Sequence, residues 1–251
     1  MNIKKLSIWL LALALMASQA GMAAEPDWSD YAKLLSHHVS PGTKNGVALN
    51  VVDYAALKTS GEIDKAAAQL AAFPLEKLAN REEKLAFYIN AYNILAMKMV
   101  LDHWPLESIK DVGSFFSPVW KKPAGQLDGK TVTLDALEHR ILRPMGEPRI
   151  HFAIVCASVS CPDLRVEPYT AGRLDAQLDD QVRLFLGNSA KGLRIEQGGI
   201  RVSQIFDWFK QDFAESGGVE AFVRRYQPGL PEKLPLKANI PYDWSLNAKG
   251  N

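Results

Sequence analysis

The sequence predicts an α+β fold of one domain, in which a long central helix packs on a small mixed or antiparallel sheet. Three observations carry this prediction. Residues 81–103 place apolar side chains at helical spacing. Asp128-Gly129 and Gly198-Gly199 lie between short β-type segments, as in hairpins. The helices and hairpins do not alternate as repeated strand–helix units, which disfavours a doubly wound sheet.

The N-terminus has the pattern of an export signal. Lys4 and Lys5 precede a largely apolar run, and small residues follow as far as Ala24. This order predicts a signal peptide over residues 1–24, cleaved after Ala23 or Ala24. The run is shorter than the about 20 residues of a transmembrane helix, so we expect no stable membrane anchor after cleavage. The expected product is one globular domain, residues 25–251, that is periplasmic or secreted.

Charge and motif content narrow the class of function. Lys and Arg total 29 against 28 Asp and Glu, and no basic block follows the signal segment. This balance disfavours nucleic acid as a partner and leaves peptides, small molecules or proteins as ligands. No phosphate-binding glycine loop, His-Glu-x-x-His pair or Gly-x-Ser-x-Gly elbow occurs. We therefore expect no cofactor.

The first half of the chain reads as mainly helical. The stretch from Trp28 to Leu57 predicts a short helix, a loop and a strand near 47–52, with turns at Pro41-Gly42 and Asn45-Gly46. A second helix covers 63–73 and ends at Pro74. Asn80 and Glu83 form a capping-box pattern that begins the long helix.

Hairpins and short elements follow. A hairpin is predicted over 126–132, and Thr133 then caps a helix over 134–142 that Pro144 stops. The apolar run from Ile150 to Cys156 predicts a central strand buried on both faces. The later predictions are a helix over 171–186 capped by Thr170, a hairpin over 193–202, a helix over 205–213 capped by Ser203, a helix over 219–226 and an extended tail over 228–247 docked by Tyr242 and Trp244.

Two asparagines stand out because they interrupt the apolar long helix. Asn90 and Asn93 are poorer helix formers than alanine, and a buried carboxamide without partners costs about 1–3 kcal/mol. In one interpretation they hydrogen-bond neighbouring backbone and fix the helix in place. In the other, Asn90 faces an active site and orients a histidine or an oxyanion, with Asn93 in support.

Cys156 is the candidate nucleophile because it ends the predicted strand where the chain turns into Ala157-Ser158. His139, beside Glu138, and His151 are the candidate bases. On an extended strand His151 would lie about 16 Å from Cys156 and on the other face, so a direct dyad of these two is not expected.

The second cysteine leaves two alternatives open. A disulfide from Cys156 to Cys161 and a free reactive thiol are equally consistent with the pattern. A metal site made of both cysteines with His139 and His151 is the weakest alternative, because no second cysteine pair is present. No metal is therefore expected.

Four motifs together resemble the domain-of-unknown-function 547 family. They are Phe87–Asn93, Asp135–His139, Ile150–Cys156 and Tyr242–Asn247, and the resemblance covers roughly residues 80–247. It implies that the family motifs include the positions of Asn90, Asn93, Glu138, His139, His151 and Cys156, whereas the position of Cys161 varies. The family is also remotely similar to papain-like and transglutaminase-like folds, which place the nucleophilic cysteine on the helix, where this chain has Asn90.

Two functions follow as hypotheses. In the first, Cys156 attacks an amide or ester in a cleft, as a cysteine-dependent hydrolase or acyltransferase, with a histidine and Asn90 assisting and with Asn93, Glu138 and Ser158 in support. In the second, the same cluster lies under a groove that binds a peptide, glycan or protein without turnover. The sequence does not decide between an enzyme and a binding module.

Overall fold

A computed structural model describes residues 25–250 and confirms the α+β class. The predicted signal segment, residues 1–24, lies outside the described residues. The helices are α1 Ser29–His38, α2 Tyr54–Ser60, α3 Glu62–Ala72, α4 Arg81–Asp102, α5 Leu134–Ala136, α6 Leu174–Gly187, α7 Ile205–Trp208 and α8 Gly218–Tyr226. None of the helices within 25–250 has the length and apolar character needed to span a bilayer.

The strands form three small sheets. Their bounds are β1 Val39–Lys44, β2 Val47–Val52, β3 Pro123–Leu127, β4 Lys130–Thr133, β5 Leu193–Glu196, β6 Gly199–Ser203 and β7 Leu236–Ile240. β1–β2 and β3–β4 are antiparallel hairpins, whereas β7 joins β6 in parallel to complete a mixed sheet with β5. The predicted 47–52 strand is therefore half of a hairpin. Pro41-Gly42 lies inside β1 and is not a turn.

The long helix is confirmed and organises the main core. The Asn80 side chain accepts from Glu83 N at 2.9 Å, and the Glu83 carboxylate in turn accepts from Ala79 N at 2.7 Å. From Leu85 to Leu101 the helix is buried almost throughout, against α3, β3 and the segment that follows α5. Gly125 of β3 lies so close to Leu95 that a β-carbon there would clash with it. The predicted packing of this helix on strands thus holds for one hairpin.

The predicted strand over 150–156 is wrong. Pro148–Phe152 is a 3-10 helix, because Pro148 stands at its first turn and the Glu147 side chain accepts from Arg149 N at 3.2 Å. The residues after it are irregular yet buried. An apolar run alone does not distinguish a buried strand from other buried backbone. The distance and opposite-face arguments about His151 and Cys156 lose their basis.

Side-chain amides replace the missing sheet ladder in this buried segment. Asn93 Nδ2 donates to Ala153 O at 3.0 Å, and Asn93 Oδ1 accepts from Val155 N at 2.8 Å. Gln181 of α6 donates to Phe152 O at 3.0 Å. Buried backbone groups need such partners, since an unmade hydrogen bond costs more than a made one gains. The segment that leads into Cys156 is therefore fixed by amides from α4 and α6.

Some of the smaller predictions are confirmed and others are wrong. The hairpin turn at Asp128-Gly129 is confirmed, with φ of 48° and 69° at its two residues. The predicted 134–142 helix is α5 continued by a π-helical turn, Leu137–Leu142. Thr170 precedes the 171–187 helical stretch but makes no side-chain cap, and the predicted 205–213 helix ends early, at Trp208. The tail contains β7, which its prolines had hidden.

We expect Asn93→Ala to lower the free energy of unfolding by roughly 2–5 kcal/mol, because it leaves two buried backbone groups unpaired. Urea denaturation of the chain measures this. Asn188→Ala is the matched control: its carboxamide also bonds two backbone groups, Ala48 O and Ala190 N, but near the surface. Its effect should stay below about 1 kcal/mol. Equal losses in the two variants would contradict the role of burial.

Candidate active site

Four of the predicted site residues line one cavity of about 280 Å³. They are Cys156, Glu138, His139 and His151, which lie within 19 consecutive positions of the sequence. The remaining lining consists of Tyr92, Trp120, Asp135, Ile154, Cys161, Pro162, Ile205, Trp208, Phe209, Tyr242 and Trp244. The cavity is therefore built by α4, the α5 region, the buried segment before Cys156, α7 and the C-terminal tail.

The C-terminal tail holds the turn that presents Cys156. Ala157 O accepts from Asn247 N at 2.9 Å, and Val159 N donates to Ser245 O at 2.8 Å. Ala157 is buried and has a φ of 60°, in the left-handed region that a residue with a β-carbon seldom adopts. Such a conformation costs of order 1–3 kcal/mol and persists only where surrounding contacts impose it. Here the hydrogen bonds to the tail hold Ala157, the residue directly after Cys156, in this left-handed conformation.

Hydroxyl and thiol groups converge on the Cys156 sulfur. Ser158 Oγ lies 2.9 Å from Cys156 Sγ, Tyr242 Oη lies 3.4 Å away, and Cys161 Sγ lies 2.7 Å away. Burial disfavours the thiolate, but hydrogen bonds from Cys161, Ser158 and Tyr242 outweigh it and lower the pKa of Cys156 to about 7. A large fraction of Cys156 is therefore thiolate near neutral pH.

Cys161 has the opposite character. Burial and the neighbouring Cys156 sulfur raise the pKa of Cys161 well above its ordinary value. Cys161 Sγ also accepts from Cys156 N at 2.8 Å. Both cysteines are unbonded in the structure, with their sulfur atoms 2.7 Å apart. A disulfide needs about 2.05 Å, so a small movement would form it and both alternatives from the sequence stay open. The structure holds the reduced state. In this state Cys161 donates to a Cys156 thiolate and is not itself the nucleophile.

Glu138 lies in the π-helical turn, where successive side chains are separated by a smaller angle than in an α-helix. Burial, followed by the charge of Cys156, raises the pKa of Glu138 to about 7. Glu138 and His139 are adjacent in sequence, so their side chains point in different directions. They do not pair with each other, yet both line the cavity. π-helical turns of this kind often occur at functional sites.

A chain of charged contacts joins the two histidines. Arg143 donates to His139 Nδ1 at 2.8 Å, and its guanidinium binds both carboxylate oxygens of Asp212, at 2.6 and 2.8 Å. His151 Nε2 lies 2.8 Å from Asp212 Oδ2, and the His151 ring stacks on Phe209 with centroids 4.1 Å apart. Arg143 has no lone pair, so His139 Nδ1 must be unprotonated.

The protonation of these groups follows from their surroundings. Burial, with the nearby Arg143 charge, lowers the pKa of His139, and burial likewise lowers the pKa of His151 despite its bond to Asp212. Asp212 is itself partly buried, but its bonds to Arg143 and His151 hold its pKa well below the usual range. Both histidines are therefore neutral at pH 7, and His151 donates Nε2–H to Asp212, which leaves Nδ1 as its basic nitrogen.

Asn90 and Asn93 take the structural role of the two weighed from sequence. Asn90 Nδ2 donates to Tyr169 O at 2.8 Å, and Asn90 Oδ1 accepts from Tyr169 N at 2.9 Å. Neither asparagine lines the cavity. Asn93 holds the segment before Cys156, whereas Asn90 holds the chain ahead of α6. Ser158, predicted as a supporting residue, touches the Cys156 sulfur directly.

Several residues of the site had no prediction from sequence. Asp212 lies in the 3-10 helix after α7 and has no motif around it. Arg143 follows His139 by four positions, the helical spacing that could have suggested a contact. Tyr242 was expected to dock the tail, and it does so against Trp208, with centroids 4.9 Å apart, but its hydroxyl also reaches Cys156.

The histidine and acidic side chains near enough to share a metal ion lie elsewhere in the described chain. They are His37, His38 and Glu62. His38 Nε2 already lies 2.6 Å from Glu62, and His38 Nδ1 is buried without a partner. A metal at Nε2 would force a proton onto that unpartnered nitrogen, which disfavours the site.

We expect Ser158→Ala and Tyr242→Phe each to raise the pKa of Cys156, because each removes a hydroxyl that favours the thiolate. Thiolate ultraviolet absorbance of the reduced protein, followed against pH, measures this shift. Ser160→Ala is the matched control, since Ser160 Oγ accepts from Asp243 N and does not touch the sulfur. A titration that is unchanged in both hydroxyl variants would contradict the assignment.

Residues 75–186 match the family model described as "Protein of unknown function, DUF547". No curated protein and no solved structure matches. The papain-like and transglutaminase-like resemblance therefore stays a prediction. The matched segment contains α4, the π-helical turn and both cysteines, so the chain contains a DUF547 domain over residues 75–186.

Proposed function

We propose that this DUF547 protein is a cysteine-dependent acyl-transferring enzyme, a hydrolase or acyltransferase that acts on an amide or ester. The observation that carries the proposal is the Cys156 sulfur, which lines the cavity and is contacted by Ser158, Tyr242 and Cys161. A thiolate that exists near neutral pH is the species that attacks carbonyl carbon.

The first half-reaction forms a thioester. The Cys156 thiolate bonds to the acyl carbon, and the carbonyl π electrons move to oxygen. When the carbonyl re-forms, the bond to the amine or alcohol leaving group breaks, and that group needs a proton. Glu138 supplies it, because its carboxyl is partly protonated near pH 7 and its pKa responds directly to the charge of Cys156.

The second half-reaction releases the acyl group. Glu138, now ionised, takes a proton from the water or other acceptor that attacks the thioester carbon, and the thiolate leaves with its electron pair. His139 and His151 line the same cavity and are the alternative proton carriers. His151 is neutral and is oriented by Asp212. No hydrogen bond among residues 25–250 joins Cys156 to either histidine. Glu138 makes no such bond either, and the proton steps are assigned to it because a pKa of about 7 suits both giving and taking a proton at neutral pH.

A second candidate function is ligand binding without turnover. Four aromatic side chains of the cavity, Trp120, Trp208, Tyr242 and Trp244, form a contiguous surface here called the aromatic wall. Such surfaces bind peptides, small molecules and glycans through stacking and apolar contact. This candidate requires that no bond forms to Cys156.

We also propose that the protein is exported and works in a periplasm or outside the cell. The proposal rests on the charged, apolar and small-residue order of residues 1–24. N-terminal sequencing of the protein recovered from its cells tests it. A mature chain that begins at Ala24 or Glu25 would support export, and an intact N-terminus in the cytoplasm would contradict it.

We expect the reduced chain, mixed with an activated acetyl ester such as p-nitrophenyl acetate, to gain one acetyl group on Cys156. Rapid acid quenching followed by peptide mass analysis locates the group, and its subsequent loss gives the rate of hydrolysis. Cys156→Ala should abolish acetylation, because it removes the nucleophilic sulfur. Glu138→Gln should slow release of the acetyl group by about 10²–10⁴-fold, as expected for loss of a general base.

Cys161→Ala is the matched control, since Cys161 lies 2.7 Å from the nucleophile and has its pKa raised. It should still form the acetyl enzyme, at a rate reduced by the loss of one hydrogen bond to Cys156. Acetylation of Cys161 in the native chain, or equal acetylation with and without Cys156, would overturn the assignment.

A further inference from the structure

The cavity lining combines acidic and aromatic side chains with two histidines, His139 and His151. Its carboxylates are Asp135 and Glu138, and no lysine or arginine belongs to the described lining. Arg143 is not part of this lining, and its guanidinium donates two hydrogen bonds to the carboxylate of Asp212, which balances its charge. Burial lowers the pKa of both histidines, so the lining offers no cationic side chain at pH 7.

The hydrogen-bonding groups of the lining include both donors and acceptors. Trp120, Trp208 and Trp244 donate N–H, Tyr92 and Tyr242 carry hydroxyls, and ionised carboxylates only accept. An ammonium group needs acceptors and aromatic faces, and the lining supplies both. The donors would also serve a neutral polyol such as a sugar, so the binding test includes a sugar oligomer.

The aromatic wall already holds an ammonium group in one place. Lys110 Nζ lies 4.7 Å from the ring centroid of Trp244. Trp208, by contrast, is 44% exposed and presents its ring at the cavity. The Phe209 ring is less available to a bound cation, because His151 stacks on it with centroids 4.1 Å apart and the Arg143 guanidinium lies 5.2 Å from its centroid.

We infer that the cavity binds a positively charged group of the substrate, an organic ammonium, between the aromatic wall and the carboxylates of Asp135 and Glu138. The inference builds on the proposed function, since the cation would then belong to the acyl substrate or to the acceptor. The cavity of about 280 Å³ is slightly smaller than the about 300–1,000 Å³ of small-molecule sites, so it suits one such group.

Binding of a cation should depend on pH through Glu138. The titratable and charged groups that act on Glu138 are Tyr92, Asp135, Arg143, Cys156 and Asp212. The pKa of Glu138 is raised to about 7, so a bound cation favours its ionised form and releases a proton. Affinity should therefore increase from about pH 6 to about pH 8 as Glu138 and Cys156 ionise.

Choline is the probe because its charge is permanent and does not titrate with the protein. Isothermal calorimetry on the whole mature chain should show that choline binds at least about tenfold more tightly than dimethylbutanol, its uncharged carbon isostere. Asp135→Asn and Trp208→Ala should each weaken binding of choline by about threefold to tenfold. Glu138→Gln should also reduce the increase with pH to the part that comes from ionisation of Cys156.

Asp175→Asn is the matched control, because the Asp175 side chain is 87% exposed and lies outside the cavity. It should leave the affinity for choline unchanged. Equal affinity for choline and dimethylbutanol would overturn the inference and leave an apolar pocket. Absence of choline binding, or binding of a chitin oligosaccharide in its place, would overturn it as well.

This measurement is independent of acyl transfer, because it requires no turnover. A chain that prefers choline but never forms acetyl-Cys156 would retain the cation site and lose the proposed enzyme. A chain that forms acetyl-Cys156 but does not distinguish choline from dimethylbutanol would retain the enzyme and lose the cation site.

Discussion

The carboxamide of Asn93 is the contact on which the site depends. It binds Ala153 O and Val155 N and so satisfies buried backbone that has no sheet partner. An amide side chain carries an NH₂ donor and a C=O acceptor in nearly the geometry of a peptide group, so it can stand in for a strand edge. Cys156 comes directly after this clamp. The position of the sulfur is thus set by the long buried helix α4.

The other half of the positioning comes from the opposite end of the sequence. The tail holds Ala157 in a left-handed conformation and brings Tyr242 to the Cys156 sulfur. Helix and tail together hold a buried turn whose hydroxyl and thiol groups favour the thiolate. The same tail supplies two rings of the aromatic wall. One segment therefore shapes both the reactivity of the sulfur and the surface that faces a substrate.

The local parts of the fold were predictable because their signals are local. The Asn80 cap, the Asp128-Gly129 turn and the apolar periodicity of α4 each act within a few residues. The 150–156 strand was predicted wrongly because its backbone partners are Asn93 and Gln181, distant side chains that no pattern within the segment reveals. β7 was missed since prolines hid a strand whose pairing with β6 is entirely tertiary.

The candidate site divides in the same way. Cys156, Glu138, His139 and His151 were identified by residue type and by their motifs, but their meeting in one cavity required the structure. Asp212 and the role of the Tyr242 hydroxyl could not be foreseen, because each acts across a long stretch of chain. The π-helical turn explains how neighbours in sequence, Glu138 and His139, come to line one cavity.

The most direct test of a reactive Cys156 is alkylation of the chain, without and with prior reduction, across a range of pH, with each cysteine scored by its own peptide mass. The structure predicts that Cys156 of the reduced chain labels with a midpoint near pH 7 and that Cys161 stays unlabelled there. Labelling of Cys161 ahead of Cys156 would contradict it. So would a chain whose cysteines label only after a reductant is added, since the working form would then be a disulfide.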